Sequence, residues 1–279
     1  MSGMFVLVAG AHGRLGERVV ALLLNRGHRV RALVRTEEQA AGVRKAGADA
    51  VVADLRGDVE WTAEGCEAAI FAAGARHRAD LGAIDAGGAA KLAEAADRYD
   101  LQRFLLASVI GADRPERRDG GGREFLAAKQ HAERRLARLN LPWTILRFGR
   151  LTEAAGTGHI DTIVRAGAPV TISRDDAALA LVDGLVRANL VRLAVNVVDG
   201  DRRVADALDA IEPRPLPAPE EPPTGAQASL GAAQSDNPPD DPEMIAADAA
   251  PLDADVEWEG DGPVPHEPVG NEDPAPGIP

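Results

Sequence analysis

Hydrophobic residues in the first 211 positions alternate between short continuous runs and longer segments with helical spacing. The short runs predict buried strands at residues 4–9, 28–34, 48–53, 67–72, 102–108, 142–148 and 191–198. The longer segments predict helices at residues 13–27, 36–47, 82–99, 124–140 and 175–189. Strands joined by crossover helices build a parallel sheet covered on both faces. The pattern therefore predicts an α/β fold with a Rossmann-like, doubly wound parallel sheet.

Two segments interrupt this alternation, residues 109–123 and residues 149–174. Both follow late strands of the predicted sheet. Long loops in this position fall at the carboxyl edge of a parallel sheet, where ligands bind. We therefore predict that both segments form walls of a site for a small-molecule substrate.

Charge and proline divide the chain near residue 212. Residues 212–279 hold 16 acidic residues against the single basic residue Arg214, and 16 of the 19 prolines. The first 211 residues carry a net charge of only +2. We therefore predict two regions: an NAD(P)-binding domain with its substrate loops at 1–211, and a proline-rich, acidic, mostly disordered tail at 212–279. Residues 256–268 include Trp258 and are a candidate for docking onto another protein or onto the body.

Several classes of protein and site are disfavoured by composition. The single cysteine, Cys66, and the scattered histidines give no metal-ligand spacing, so we predict no metal site. The first apolar run ends at Gly10, and no run reaches 18 residues, which disfavours a signal peptide or membrane helix. Net charge and the lack of interleaved aromatic and basic residues disfavour nucleic-acid binding. These features predict a soluble, cytoplasmic protein.

The first predicted strand runs directly into the sequence GAHGRLG and then into a helix. The first glycine permits a tight turn, the second lets backbone amides approach a pyrophosphate, and the third lets the helix pack on the strand. The helix N-terminus adds a partial positive charge facing the phosphates. We therefore predict a dinucleotide cofactor bound by Gly10, His12, Gly13, Arg14, Leu15 and Gly16.

The end of the second strand decides between NAD and NADP in this architecture. An acidic residue there binds a free ribose hydroxyl, whereas arginine binds a 2′-phosphate. The chain has Arg35 at this point and Arg14 in the glycine turn. We therefore predict NADP, with NAD as the alternative. Four further positions are predicted to line the cofactor after the third and fourth strands: Asp54, Leu55, Ala73 and Gly74.

Six stretches in order, GAHGRLG, VRALVR, VVADL, FAAGA, RFLLASVIGA and LPWTILRFGRLT, resemble the short-chain dehydrogenase/reductase superfamily. More narrowly they resemble its atypical branch, which includes NmrA-like, flavin-reductase-like and epimerase-like proteins. The resemblance implies that Ser108 polarises the substrate and that Lys129 holds the nicotinamide ribose. It also places Phe125 where the superfamily has its catalytic tyrosine. A phenyl ring transfers no proton, so ordinary carbonyl reduction through tyrosine is not available here.

Three functions remain open at this point. The first is an NADPH-dependent reductase of a conjugated acceptor, such as a flavin or quinone, which solvent can protonate. The second is a non-catalytic NAD(P)-binding sensor or regulatory protein of the NmrA-like kind. The third is a nucleotide-sugar-type epimerase, which the loss of the tyrosine at Phe125 disfavours.

Overall fold

A computed structural model describes residues 3–165 and 169–213 of the protein. The predicted tail lies outside the described residues beyond position 213, so the domain boundary and the docking of its Trp258 segment stay predictions. Within the described ranges, none of the helices combines the length and the apolar character that crossing a bilayer requires.

Eleven strands and six α-helices follow one another in the described residues. The strands are β1 Phe5–Ala9, β2 Arg29–Val34, β3 Asp49–Val52, β4 Ala68–Phe71, β5 Arg103–Val109, β6 Trp143–Phe148, β7 Arg150–Thr152, β8 His159–Asp161, β9 Thr171–Ser173, β10 Leu193–Asp199 and β11 Arg202–Arg203. The helices are α1 Arg14–Asn25, α2 Glu37–Lys45, α3 Ala89–Arg98, α4 Gly120–Ala137, α5 Arg174–Gly184 and α6 Val204–Asp209. A π-helical stretch, Leu81–Gly88, leads into α3.

Nine strands form one sheet in the order β11-β8-β10-β6-β5-β4-β1-β2-β3. The seven strands from β10 to β3 run parallel to one another. At the edge, β8 pairs antiparallel with both of its neighbours, β10 and β11. The chain starts in the interior of this sheet at β1, winds outward to β3 and returns through β4 to the other side. This arrangement confirms the predicted doubly wound α/β fold.

Two apolar clusters, one on each face of the sheet, hold the helices in place. On one face, Val6, Val8 and Leu146 are buried with residues of α1, α2 and α5. On the other, Leu7 and Phe104 are buried with residues of α3 and α4. Alternation along each strand separates the two sets, as a sheet covered on both sides requires.

All seven predicted strands and all five predicted helices occur close to their predicted positions. The largest differences are at α3, which begins at Ala89 after the π-helical stretch rather than at residue 82, and at α5, which ends at Gly184 rather than at residue 189. Segment 149–174 contains three short strands that the apolar pattern did not predict, and β7 pairs with β9 in a separate two-stranded sheet. Strands of three residues carry too few positions to show a period.

Candidate functional site

The glycine turn between β1 and α1 is closely packed. Gly10 adopts a φ of +79°, and a Cβ at this position would lie 2.7 Å from the Cα of Ala73. A Cβ on Gly16 would lie 2.0 Å from the carbonyl oxygen of Gly10. The Gly13 N–H donates to the same oxygen at 2.9 Å and Gly13 caps the first turn of α1. Backbone thus fills the space that side chains would need, and the cradle fits a pyrophosphate at a helix N-terminus.

The side chains of the glycine turn are directed at neighbouring carboxylates. His12 Nδ1 lies 3.1 Å from Glu17 Oε1. Arg14 Nη1 donates to Glu153 Oε1 at 3.0 Å, and Arg174 Nη1 donates to the same oxygen at 2.6 Å. Glu153 follows β7, so segment 149–174 reaches the glycine turn as predicted for a wall of the site. Arg14 therefore lies toward α5 rather than toward the end of β2.

Arg35 lies at the end of β2 and is exposed, with its backbone N–H donating to Gln39 Oε1 at 2.9 Å. It lies near Asp54, whose pKa is lowered to about 2 by hydrogen bonds from Arg56 first, with smaller coulombic contributions from Arg56 and Arg35. Arg56 Nη2 donates to Asp54 Oδ2 at 2.7 Å. Arg14 contacts Glu153 instead of approaching Arg35, and the contact of both arginines with one phosphate stays a prediction. The electrostatic argument for NADP depends on Arg35.

The loop after β4 joins the glycine turn to the opposite side of the site. Ala73 is half-buried against Gly10, and Gly74 is exposed. Next to them, the backbone N–H of Ala75 donates to Asp85 Oδ2 at 2.7 Å. Leu55 is buried and packs against Gly88 at the end of the π-helical stretch. π-Helical turns occur often at functional sites, and this one brings a fully buried carboxylate to the loop.

Lys129 is bound to Asp85. Its Nζ lies 2.8 Å from Asp85 Oδ1, and the two side chains are 9% and 0% exposed. The same Nζ lies 5.8 Å from the centre of the Phe125 ring, one helical turn earlier on α4. Asp85 Oδ1 has no aligned hydrogen bond, so the contact with Lys129 is an ion pair. A carboxylate and an aromatic face thus hold the ammonium beside the predicted nicotinamide region.

Ser108 is bound to a second charged pair, formed by Glu133 on α4 and Arg147 on β6. Its Oγ lies 2.6 Å from Glu133 Oε1, and both residues are buried. Arg147 Nε donates to the two oxygens of Glu133 at 3.0 and 3.1 Å. Burial lowers the pKa of Arg147, but the hydrogen bonds to Glu133 and the negative charges of Glu133 and Asp113 together outweigh it and leave that pKa raised. Glu133 lies one turn beyond Lys129 on α4. Ser108 therefore contacts α4 one turn away from the ion pair of Lys129 and Asp85.

A comparison with protein families matches residues 10–187 of the chain, more than half of its length, to a family described as NAD(P)H-binding. The chain belongs to this NAD(P)H-binding family. The match begins at the glycine turn and includes Ser108, Phe125 and Lys129. The predicted dinucleotide cofactor is confirmed at the level of NAD(P)H.

Relatives of this NAD(P)H-binding protein carry the names of epimerases and oxidoreductases. It is 36% identical over 214 residues to the uncharacterized sugar epimerase YhfK of Bacillus subtilis, covering 74% of this chain and 99% of that protein. It is 31% identical to a solved putative NAD-dependent epimerase/dehydratase from Bacillus halodurans, with a TM-score of 0.71 and coverage of 74% and 99%. It is 25% identical to the solved oxidoreductase ylbE from Lactococcus lactis, with a TM-score of 0.67 and coverage of 75% and 96%. The predicted resemblance to atypical short-chain dehydrogenases/reductases is confirmed.

Residues that contact the predicted site of this NAD(P)H-binding protein but were not identified from its sequence include these four: Asp85, Glu133, Arg147 and Glu153. A signal existed for three of them. Asp85 is an acid in a run of small apolar residues, Arg147 is a charge inside an apolar strand, and Glu133 has the same helical spacing from Lys129 as Lys129 has from Phe125. Glu153 lies in an irregular segment and gave no signal.

Metal-ligand geometry is not found in the described part of this NAD(P)H-binding protein. Across residues 3–165 and 169–213, no three His, Cys, Asp or Glu side chains lie together in a way that could hold a metal ion. Cys66 is buried, and burial raises the pKa of its thiol, which makes it a poor nucleophile.

Proposed function

We propose that the protein is an NADPH-dependent reductase of a conjugated acceptor such as a flavin, a quinone or a tetrapyrrole-like compound. The observation that carries the proposal is the arrangement on α4, where Lys129 is held by Asp85 while Phe125 occupies the tyrosine position. The chain keeps the groups that grip and orient a dinucleotide and lacks the side chain that would protonate an alkoxide. Such a site suits an acceptor whose reduced form takes its proton from solvent.

The chain's own residues would act mainly by positioning. When bound, the nicotinamide supplies the hydride. The glycine turn and the N-terminus of α1 would hold the pyrophosphate, and Lys129, fixed by Asp85, would donate hydrogen bonds to the ribose. Ser108, fixed by Glu133, would contact the substrate that accepts the hydride. For substrates that need a protein acid, its absence at Phe125 lowers the rate by a factor of roughly 10² to 10⁴. Substrates that take their proton from solvent lose nothing.

The test of this function is NADPH oxidation by the purified protein with flavin and quinone acceptors, followed by the absorbance of reduced nicotinamide. We expect turnover with at least one conjugated acceptor and none with simple ketones. Phe125→Tyr is expected to add measurable ketone reduction, because it restores the missing hydroxyl beside Lys129. Tight NADPH binding without turnover of any acceptor would instead support the sensor function.

Epimerase activity is the second candidate because two of the relatives carry that name. An epimerase must remove a proton from a sugar hydroxyl as the hydride leaves, and Phe125 cannot accept it. The two activities differ in cofactor use, since an epimerase regenerates its dinucleotide while a reductase consumes it. Conversion of a nucleotide sugar without net NADPH consumption would contradict the reductase proposal.

Replacing Arg35 by alanine tests the preference for NADP. Removing one arginine–phosphate contact is expected to weaken NADPH binding by about tenfold to a hundredfold and NADH binding by little, because only NADPH carries the 2′-phosphate. Arg14→Ala is the matched control. Its guanidinium contacts Glu153, so we expect it to change the affinities for both nucleotides by a similar factor. Equal effects of Arg35→Ala on NADPH and NADH would remove the preference for NADP.

A further inference from the structure

The direction of the hydrogen bond at Ser108 restricts what this residue can offer to a ligand. Glu133 receives the Nε–H of Arg147 on both of its oxygens and an Nη2–H on one of them. A carboxylate held in this way is ionised and accepts hydrogen bonds only. The 2.6 Å contact between Ser108 Oγ and Glu133 Oε1 therefore uses the proton of the serine.

A hydroxyl has one proton and two lone pairs. With that proton directed at Glu133, Ser108 can offer only lone pairs to a ligand. The superfamily resemblance implied the opposite, a serine that donates to the substrate carbonyl. In this chain a carbonyl oxygen facing Ser108 would meet another acceptor, and a buried acceptor without a donor is costly.

The contacts around Glu133 stabilise this state. Ser108 and Glu133 are both buried, so water competes little for either group. Arg147 comes from β6, where it is paired in register with Ser108 on β5. A second carboxylate, Asp113 Oδ1, lies 3.8 Å from Arg147 Nη1 and adds to the negative charge around this guanidinium. The described titratable groups in contact here are thus Glu133, Arg147 and Asp113, and together they keep Glu133 bound to an arginine.

We propose that Glu133 is a positioning residue that fixes Ser108 as a hydrogen-bond acceptor, so that the preferred substrate presents an O–H or N–H group to Ser108 beside the bond to be reduced. This inference rests on the proposed reductase function and refines its substrate class. It favours hydroxyquinones and pyrrole-type acceptors over oxidised flavins, which offer only acceptor atoms around their reactive nitrogen.

The test compares a hydroxyethyl-substituted naphthoquinone with its methyl ether, which lacks the donor and has the same ring electronics because the oxygen is separated from the ring by two carbons. We expect kcat/KM with NADPH to be about tenfold higher for the hydroxyethyl quinone, the factor that one hydrogen bond contributes. Ser108→Ala should bring the ratio close to one while Glu133 and Arg147 stay paired. Glu133→Gln should also lower the ratio, because its amide N–H₂ can donate to Ser108 and release the serine proton. A purely structural role of Glu133 would change both rates together and leave the ratio unchanged.

The outcomes separate this inference from the proposed function. Equal turnover of both quinones by the unmodified protein would overturn the acceptor role of Ser108 and leave the reductase function standing. If neither these quinones nor any other conjugated acceptor is reduced, the reductase function fails, and the affinities of both quinones for the NADP⁺ complex take the place of the rates. Tighter binding of the hydroxyethyl quinone that is lost in Ser108→Ala would then still support the acceptor role, and equal binding would overturn it.

Discussion

Replacing Gly16 by alanine is expected to lower the affinity for NADPH by at least about a hundredfold. The added Cβ would lie 2.0 Å from the carbonyl oxygen and 2.7 Å from the carbonyl carbon of Gly10. Both atoms belong to backbone, so no side-chain rotation can relieve the overlap. The turn must open, and the N–H groups that it aims at the pyrophosphate lose their common direction. Calorimetric titration of the purified variant with NADPH measures the loss.

Gly42→Ala is the matched control for this substitution. Gly42 lies within α2, and a Cβ at this position has nothing within 4 Å. The control should bind NADPH normally and gain stability of about 0.5–1 kcal/mol, because alanine is the better helix former. A Gly16→Ala protein that binds NADPH as tightly as the unmodified protein would show that the turn does not hold the cofactor.

The fold and the glycine turn could be predicted from sequence because their signals are local. The inner parallel strands are buried on both faces, so they form continuous apolar runs such as the one ending at Ala9. The turn needs glycine for reasons of space that act within a few residues, as the approach of Gly16 to Gly10 shows. The burial of a strand therefore shows in the sequence as an apolar run, and the tight turn shows as a fixed spacing of glycines.

The partners of the site residues could not be predicted in the same way, because tertiary packing determines them. Ser108 and Lys129 were identified by resemblance, which says nothing about what restrains them. Their partners come from other elements, Asp85 from the π-helical stretch and Glu133 from a later turn of α4. Arg14 is a further case. Its place in the glycine turn suggested a phosphate contact, and only the structure shows that a carboxylate more than 130 residues later in the chain, Glu153, binds its guanidinium.

These partners also change how the site is understood. A site with only serine, lysine and a phenylalanine in the tyrosine position suggests a reductase that has lost its proton-donating side chain. The structure gives each remaining group a buried, charged partner: Asp85 holds Lys129 beside an aromatic ring, and Glu133 accepts the hydrogen bond of Ser108. Burying Asp85, Lys129 and Glu133 costs desolvation energy, which only close pairing geometry can offset. We infer that the site is organised for a substrate that needs orientation more than it needs a proton.

Asp85→Asn is expected to destabilise the protein by about 3–5 kcal/mol, because it leaves the ammonium of Lys129 buried without its counter-charge. The two side chains are 0% and 9% exposed, so solvent can replace little of the lost interaction. For a folded region of this size, such a loss corresponds to a fall in melting temperature of roughly 6–20 °C. Asparagine keeps the shape of the side chain and can still accept from the Ala75 N–H, which limits the change to the charge.

Lys129→Met and the double variant complete a thermodynamic cycle. Lys129→Met alone leaves the Asp85 carboxylate buried and should also destabilise. The double variant has neither charge, so we expect it to recover most of the lost stability while its affinity for NADPH stays low, since no ammonium remains to hold the ribose. Thermal unfolding measures the first effect and NADPH titration the second. Additive losses of stability in the double variant would show that the pair contributes nothing as a pair, and normal NADPH affinity would show that Lys129 does not contact the cofactor.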